Sequence, residues 1–335
     1  EMCIRDSLSP HRAAAGDAPG QLPAGQAMRV LTGAALPEGV DTVVLQEDVT
    51  VDGGHVIFRG PVKPGANTRA AGEDVNAGGT VLEAGQRIGP AEAALLSATG
   101  VRRVSVRKPL RVAVLSTGAE LVEAGETAAD GQIFDANRPM LLEMFGRFGH
   151  EPIDIGRVDD DPQALRSALN RAARAADVIV TSGGASAGDE DHVSALLSRE
   201  GAMSLWRVAV KPGRPLALGT WQNRAVFGLP GNPVAAMVCA LIFARPAMAV
   251  LAGENWPEAQ GFDVPAAFSK NKKAGRTEYL RARMRDGQAE VFASEGSGRI
   301  SGLSWAEGLV ELPEAAADIR PGTSVRYIPF GSFGL

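Results

Sequence analysis

Apolar positions recur along the chain in two different rhythms, and the rhythm changes near Leu110. Between residues 24 and 109, short alternating runs such as Thr42-Val43-Val44-Leu45 and His55-Val56-Ile57-Phe58 are punctuated by glycine and proline, which predicts short strands and tight turns. Near the end of that stretch, residues 90–100 (PAEAALLSATG) open on proline, continue with helix formers and stop at glycine, the signature of a short connecting helix. From Leu110 the apolar runs become continuous and alternate with helical periodicity, the pattern of a parallel sheet with covering helices. The predicted strands are 111–115, 153–158, 178–181, 205–210 and 225–229. Between the second and third, Asp161 is placed to cap a helix, Pro162 suits its first turn, and Leu165, Leu169 and Ala173 share one face. Residues 233–251 predict a second, largely apolar helix.

The expected fold is α/β. A three-layer parallel-sheet domain over residues 110–258 is flanked by a β-rich module at 24–109 and a small C-terminal β-barrel-like module at 259–335. Residues 1–23 begin with EMCIRDS and continue rich in alanine and glycine, so they are expected to be a leader and an incomplete N-terminal segment.

Composition narrows the function. The 335 residues are 45% hydrophobic and 22% charged with a net charge of −5, which offers no global attraction to nucleic acid or to an anionic membrane, and neither is expected as a partner. An anion site must therefore be local. Cys3 and Cys239 have no partner spacing for a disulfide framework or a thiolate metal site, which points to a reducing cytoplasm. The most apolar run, residues 234–244, is shorter than the roughly 20 residues needed to cross a bilayer and reads as a buried helix.

In an open parallel sheet, ligands bind beyond the carboxyl ends of the strands, so the loops that follow strands are where chemistry is expected. Three stand out. Ser116-Thr117-Gly118-Ala119-Glu120 follows the first predicted strand. Thr181-Ser182-Gly183-Gly184-Ala185-Ser186-Ala187-Gly188 follows the third and precedes a helix with Asp191. Pro230-Gly231-Asn232-Pro233 joins the last strand to the long helix. Any one of them alone is a tight turn that needs glycine for its dihedrals. Together they predict a phosphorylated ligand lying across one sheet edge, because glycine permits close backbone approach and hydroxyls and helix-start amides supply donors. There is no G-x-x-x-x-G-K-[ST] and no strand-linked G-x-G-x-x-G. Gly184-Ala185-Ser186-Ala187-Gly188 fits the nucleophile-elbow pattern, but His192 is the only histidine after it, too close to serve such a triad. Glu120, Asp160 and Asp191 each lie just past a predicted strand end, Asp74 sits in the glycine-rich stretch Ala71-Gly72-Glu73-Asp74, and carboxylates beside phosphate suit magnesium; singly, each is equally a helix cap or a solvated acid. Arg207, Lys211 and Arg214, and a second basic run from Lys270 to Arg285, are candidate anion contacts.

Taken in order, Arg29-Val30-Leu31-Thr32-Gly33-Ala34, Gly72-Glu73-Asp74, Ser116-Thr117-Gly118, Asp135-Ala136-Asn137, TSGGASAGDED from Thr181, KPGRP from Lys211 and LPGNP from Leu229 resemble the motif series of the molybdopterin molybdenumtransferases, the MoeA and gephyrin E-domain family. The resemblance implies a molybdopterin-binding α/β domain in a homodimer. It also implies a reaction in which adenylated molybdopterin and molybdate give molybdenum cofactor and AMP, assisted by magnesium. Carried over residue by residue, it implies Thr32, Asp74, Glu120, Asp160 and Asp191 as catalytic residues, with Asp191 and Glu120 toward the metal. The three loops, Lys211, Arg214 and Ser297 would bind substrate. Related adenylyltransferases and competence-related pyrophosphatases share the α/β domain but lack the flanking modules, and the animal homologue doubles as a scaffold. Ala119, Arg214 and His192 depart from the family pattern, and the family's N-terminal helices and Asp-Gly-Tyr motif are missing ahead of residue 24.

Overall fold

The computed structural model describes residues 3–184, 192–296 and 298–335, and for 3 and 204–206 the backbone alone. The chain divides into two compact units. One comprises Glu1–Leu82 with Pro90–Val101, the other Glu83–Gly89 with Arg102–Leu335.

The first unit is built on a four-stranded sheet in the order Gln26–Val30, Cys3–Ala13, His55–Arg59, Val49–Asp52. Gly53 and Gly54, both with positive φ, close the hairpin between the last two, where a two-residue turn twists with its strands only if both residues are left-handed. Cys3–Ala13, within the stretch expected as a leader and an incomplete N-terminal segment, forms a strand paired with Gln26–Val30 on one side and His55–Arg59 on the other. Residues 42–45, expected as a strand, pair with no other strand. Their polar groups go elsewhere: Val43 donates its N–H to Ala66 and accepts from the Asn67 side chain. Thr32 and Asp74 belong to this unit.

The second unit holds a six-stranded sheet in the order Ala202–Arg207, Pro215–Trp221, Arg224–Leu229, Val178–Ser182, Arg111–Thr117, Glu151–Val158. The last four are mutually parallel. Their continuous apolar runs arise because both faces are covered. Val112 and Val114 face a core completed by Leu141, Phe145 and Val238, while Ala113 and Leu115 face one completed by Leu165, Leu169 and Leu197. Asn137–Arg147 and the long helix cover the first face; Pro162–Ala175 and His192–Glu200 cover the second. Asp161 caps its helix as the sequence predicts, accepting from the Ala164 N–H with Pro162 following.

Two elements differ from expectation. Pro215–Trp221 is an antiparallel strand, hidden in the sequence because Gly219 and Thr220 dilute its apolar pattern and its hairpin to Arg224–Leu229 turns on Gln222 and Asn223, both at positive φ, rather than on a glycine pair. The strand expected at 205–210 is split. Ala202–Arg207 pairs with Pro215–Trp221, the Val208 N–H bonds to the Arg214 carbonyl to close a loop, and Val210–Lys211 joins a different sheet beside Thr277–Arg285. That sheet continues through Gly308–Leu312 and Ser324–Pro329 to Phe262–Pro265, around a core that includes Leu280, Val310 and Tyr327.

Pro233–Ala252 is a 20-residue helix of mean hydropathy 2.1, long and apolar enough to cross a membrane, with 67% of its apolar window buried inside this fold. It widens to a π turn at Ala240–Ala244, just before Pro246, which has no N–H to donate to the preceding turn.

Replacing the exposed Asp161 cap, Asp161→Ala, is expected to lower unfolding free energy by about 1 kcal/mol. A urea titration checks this, and an unchanged midpoint contradicts it.

Candidate active site

Strand order places the ligand edge. The chain runs from Arg111–Thr117 to its neighbour Glu151–Val158 on one side and then crosses to Val178–Ser182 on the other, so the connections diverge and leave a crevice at the carboxyl ends. The three glycine turns meet there. A cavity of about 800 Å³ is lined by Thr117, Gly118 and Glu120 of the first, Ser182, Gly183 and Gly184 of the second, and Pro230, Gly231 and Asn232 of the third.

Close backbone contact is what lets them meet. Gly183 donates its N–H to the Leu229 carbonyl at 3.1 Å, and its φ is +91°. A Cβ on Gly183 would lie 2.4 Å from the Thr117 carbonyl oxygen, so any side chain here would push the first two turns apart. The Asp135-Ala136-Asn137 segment then ties all three turns. Asp135 accepts from the Ser116 hydroxyl at 2.6 Å. Asn137 donates from Nδ2 to Ser182 Oγ at 2.7 Å and to the Gly231 carbonyl at 2.6 Å. A carbonyl only accepts, so this bond fixes which amide atom faces Gly231. Arg138, itself buried, is shared among the carboxylates of Asp135, Asp154 and Glu123. Among the described residues, Thr117 Oγ1, Asn137 Oδ1 and Thr181 Oγ1 are buried without a protein partner. Asn232 caps the long helix, accepting from the Val234 and Ala235 N–H groups.

Charge is arranged locally. Lys211, Arg214 and Arg276 line the cavity, as do Glu120 and Asp160. Asp160 accepts the Ala119 N–H at 2.9 Å through one oxygen. Lys211 pairs with Glu295 at 2.9 Å and Glu278 at 3.5 Å, and Lys270 pairs with the same two carboxylates. Burial works against the Lys211 ammonium, but Glu295 and Glu278 outweigh it and hold its pKa above the ordinary value. Hydrogen bonding from Lys270, with help from Lys211 and against partial burial, holds the Glu295 carboxyl below its ordinary range.

Of the residues singled out in the sequence, Ser116 and Thr181 are fully buried in their strands and Pro233 starts the helix; none of the three lines the cavity. Ser186, Gly188, Asp191 and Ser297 lie outside the described residues. The basic run from Lys270 to Arg285 is largely consumed internally. Lys272 is buried and donates to the carbonyls of Lys273, Glu314 and Ala315, Arg281 is buried and donates to those of Ser294, Gly296 and Arg299, and Arg283 and Arg285 pair with Glu290 and Glu307. Arg276 from this run does reach the cavity wall, as does Glu295. Asn137 was visible only as part of a motif, and its role depends on contacts 45 and 94 residues away. Among the described residues no three His, Cys, Asp or Glu side chains cluster as a metal site.

Three sequence families match the chain: the MoeA N-terminal region (domains I and II) over residues 4–100, a probable molybdopterin binding domain over 113–250, and the MoeA C-terminal region (domain IV) over 263–330. The chain is 36% identical over 315 residues to the molybdopterin molybdenumtransferase of Haemophilus influenzae, covering 92% of this chain and 78% of that one. It is 34% identical over 312 residues to the Nostoc protein of the same name, covering 90% and 71%. The crystal structure of the molybdopterin biosynthesis MoeA protein from Pyrococcus horikoshii OT3 is similar with a TM-score of 0.79 at 27% identity, covering 98% of this chain and 81% of that one.

Two outcomes follow for the site. Asn137→Ala strands the Gly231 carbonyl and the Ser182 hydroxyl, and is expected to lower unfolding free energy by about 1–3 kcal/mol; an unchanged denaturant midpoint contradicts the tie. Because the Glu295 carboxyl is depressed in the folded protein, its contribution is present above the unfolded value of about 4.3 and is lost as pH falls through the folded value. The stability gap between wild type and Glu295→Gln should therefore stay constant near neutrality and close on acidification. A gap that widens in acid contradicts this.

Proposed function

This chain belongs to the molybdopterin molybdenumtransferase family, and on that premise we propose that its cavity binds adenylated molybdopterin and molybdate and yields molybdenum cofactor with release of AMP. The observation that carries the reading is the meeting of three glycine turns around one cavity that also holds Lys211, Arg214, Arg276, Glu120 and Asp160. That combination suits a phosphorylated heterocycle: turns without side chains admit the ligand close to the backbone, and cations balance the diphosphate.

In this reading the Ser182 and Thr117 hydroxyls and the turn backbones hold the pterin and its phosphate, and Lys211, Arg214 and Arg276 hold the diphosphate. The substrate is thereby fixed for in-line displacement at phosphorus, and no protein nucleophile is needed. A molybdate oxygen attacks phosphorus as the diphosphate P–O bond breaks, so that AMP leaves and this oxygen stays on the phosphate it attacked. The two dithiolene sulfurs take the places of this oxygen and of a second one, which departs as water. Glu120 and Asp160 fit magnesium. Both line the cavity, Asp160 has one carboxylate oxygen not engaged by Ala119, and magnesium is held by one or two carboxylates together with substrate oxygens. Bound there, magnesium would neutralise charge on the diphosphate. Asp191, which follows the second turn in sequence, is a third candidate ligand, and Thr32, Asp74 and Ser297 are carried over from the family pattern. We take the enzyme to act in the cytoplasm as a homodimer.

Glu120→Gln and Asp160→Asn should each lower AMP release from adenylated molybdopterin, in the presence of molybdate and magnesium, by about a hundredfold through misplacement of the diphosphate. Near-normal release by both variants removes these carboxylates from the mechanism, and no AMP release by the wild-type protein removes the function.

A further inference from the structure

We propose that Glu295 tempers the anion affinity of Lys211: shared between Lys211 and Lys270, it brings the charge of the cluster they form with Glu278 to zero and so sets how tightly a phosphate-bearing ligand is held. The proposal rests on the reading that Lys211 meets the substrate diphosphate.

The four charges differ in how freely they can respond. The side chains of Glu278 and Lys270 are only 9% and 11% exposed and pair at 3.2 Å, so neither can be left alone without stranding a buried charge. Glu295 is the open member, 47% exposed and lining the cavity. An ammonium has three N–H donors. With Glu278 and Glu295 taking two of the Lys211 donors, one remains for a ligand, and that ligand meets a set whose two positive and two negative charges cancel.

Glu295 is held in that position. Arg281 donates to the carbonyls of Ser294 at 2.6 Å and Gly296 at 3.1 Å, the residues on either side of it, and Arg281 is itself buried against the Phe292 ring. The carboxylate is therefore presented to Lys211 by a clamped backbone. A phosphate arriving at Lys211 competes with a fixed anion at close range, which orients the ammonium but limits its pull. Such an arrangement favours release of a charged product over its retention.

The test is titration of AMP and of pyrophosphate into the full chain as wild type, Glu295→Gln, Glu295→Asp and Lys270→Met, at low and at 0.5 M salt. Removing the open carboxylate leaves the set at +1, and Glu295→Gln should bind both ligands about three- to fivefold more tightly at low salt, with the gain shrinking at high salt. Lys270→Met leaves it at −1 and should shift affinity the opposite way, while Glu295→Asp keeps the charge and should stay near wild type. A loop merely loosened by substitution would weaken binding in both variants. Weaker or unchanged binding by Glu295→Gln overturns the proposal, and that variant decides alone if circular dichroism shows Lys270→Met unfolded. Pyrophosphate bound without AMP counts against the adenylated-pterin reading, yet the sign of its Glu295→Gln shift still decides the role of Glu295. Binding of neither ligand by wild type overturns both.

Discussion

The side-chain amide of Asn137 is the contact on which the ligand edge depends. Its nitrogen spends both hydrogens inside the protein, one on the second glycine turn at Ser182 and one on the third at Gly231, while its neighbour Asp135 holds the first through Ser116. Loops at a sheet edge have few backbone bonds of their own, so their relative positions would otherwise be set only by the strands beneath them. A buried amide with both donors committed removes that freedom. Gly183 supplies the complementary condition, since only a residue without Cβ brings the second turn against the Thr117 carbonyl. One contact pulls the turns together and the other lets them come close enough to line one cavity.

Electrostatics is solved locally in a chain whose net charge is −5. The cations on the cavity wall come from two distant stretches of the chain. Lys211 and Arg214 lie on the loop closed between Val208 and Arg214, and Arg276 immediately precedes the Thr277–Arg285 strand that pairs with Val210–Lys211. Backbone pairing thus delivers the C-terminal sheet to the site, and the Lys211, Lys270, Glu278 and Glu295 cluster seals the join with balanced charge. Gly213 makes the loop fit, because a Cβ there would lie 2.3 Å from the Cys239 sulfur of the long helix.

Much of the second unit was legible from residue pattern because its causes are local. Strands buried on both faces wrote themselves as unbroken apolar runs at Val112, Ile179 and Val226, and Asp161-Pro162 announced a helix start. Pro215–Trp221 was not legible, since its place depends on a hairpin without the usual turn residues, nor was the split at Val208, where a partner in another sheet claims Val210. The strand at Cys3–Ala13 is specified by its two neighbours rather than by its own alternation. For the site, the glycine turns showed in the sequence because glycine is informative alone. Asn137 showed only as part of a motif, Arg276 only as one cation of a basic run, and Glu295 not at all, because their meaning lies in partners far along the chain. The basic run around Arg281 misled for the same reason: charge can be counted in a sequence, but the carbonyls that consume it cannot.

The central claim is that the three turns act as one site, and hydrogen exchange with and without adenylated molybdopterin tests it most directly. Simultaneous slowing of exchange at residues 116–121, 182–184 and 229–232 is the predicted result. Protection confined to a single turn, or found only away from this sheet edge, would contradict it.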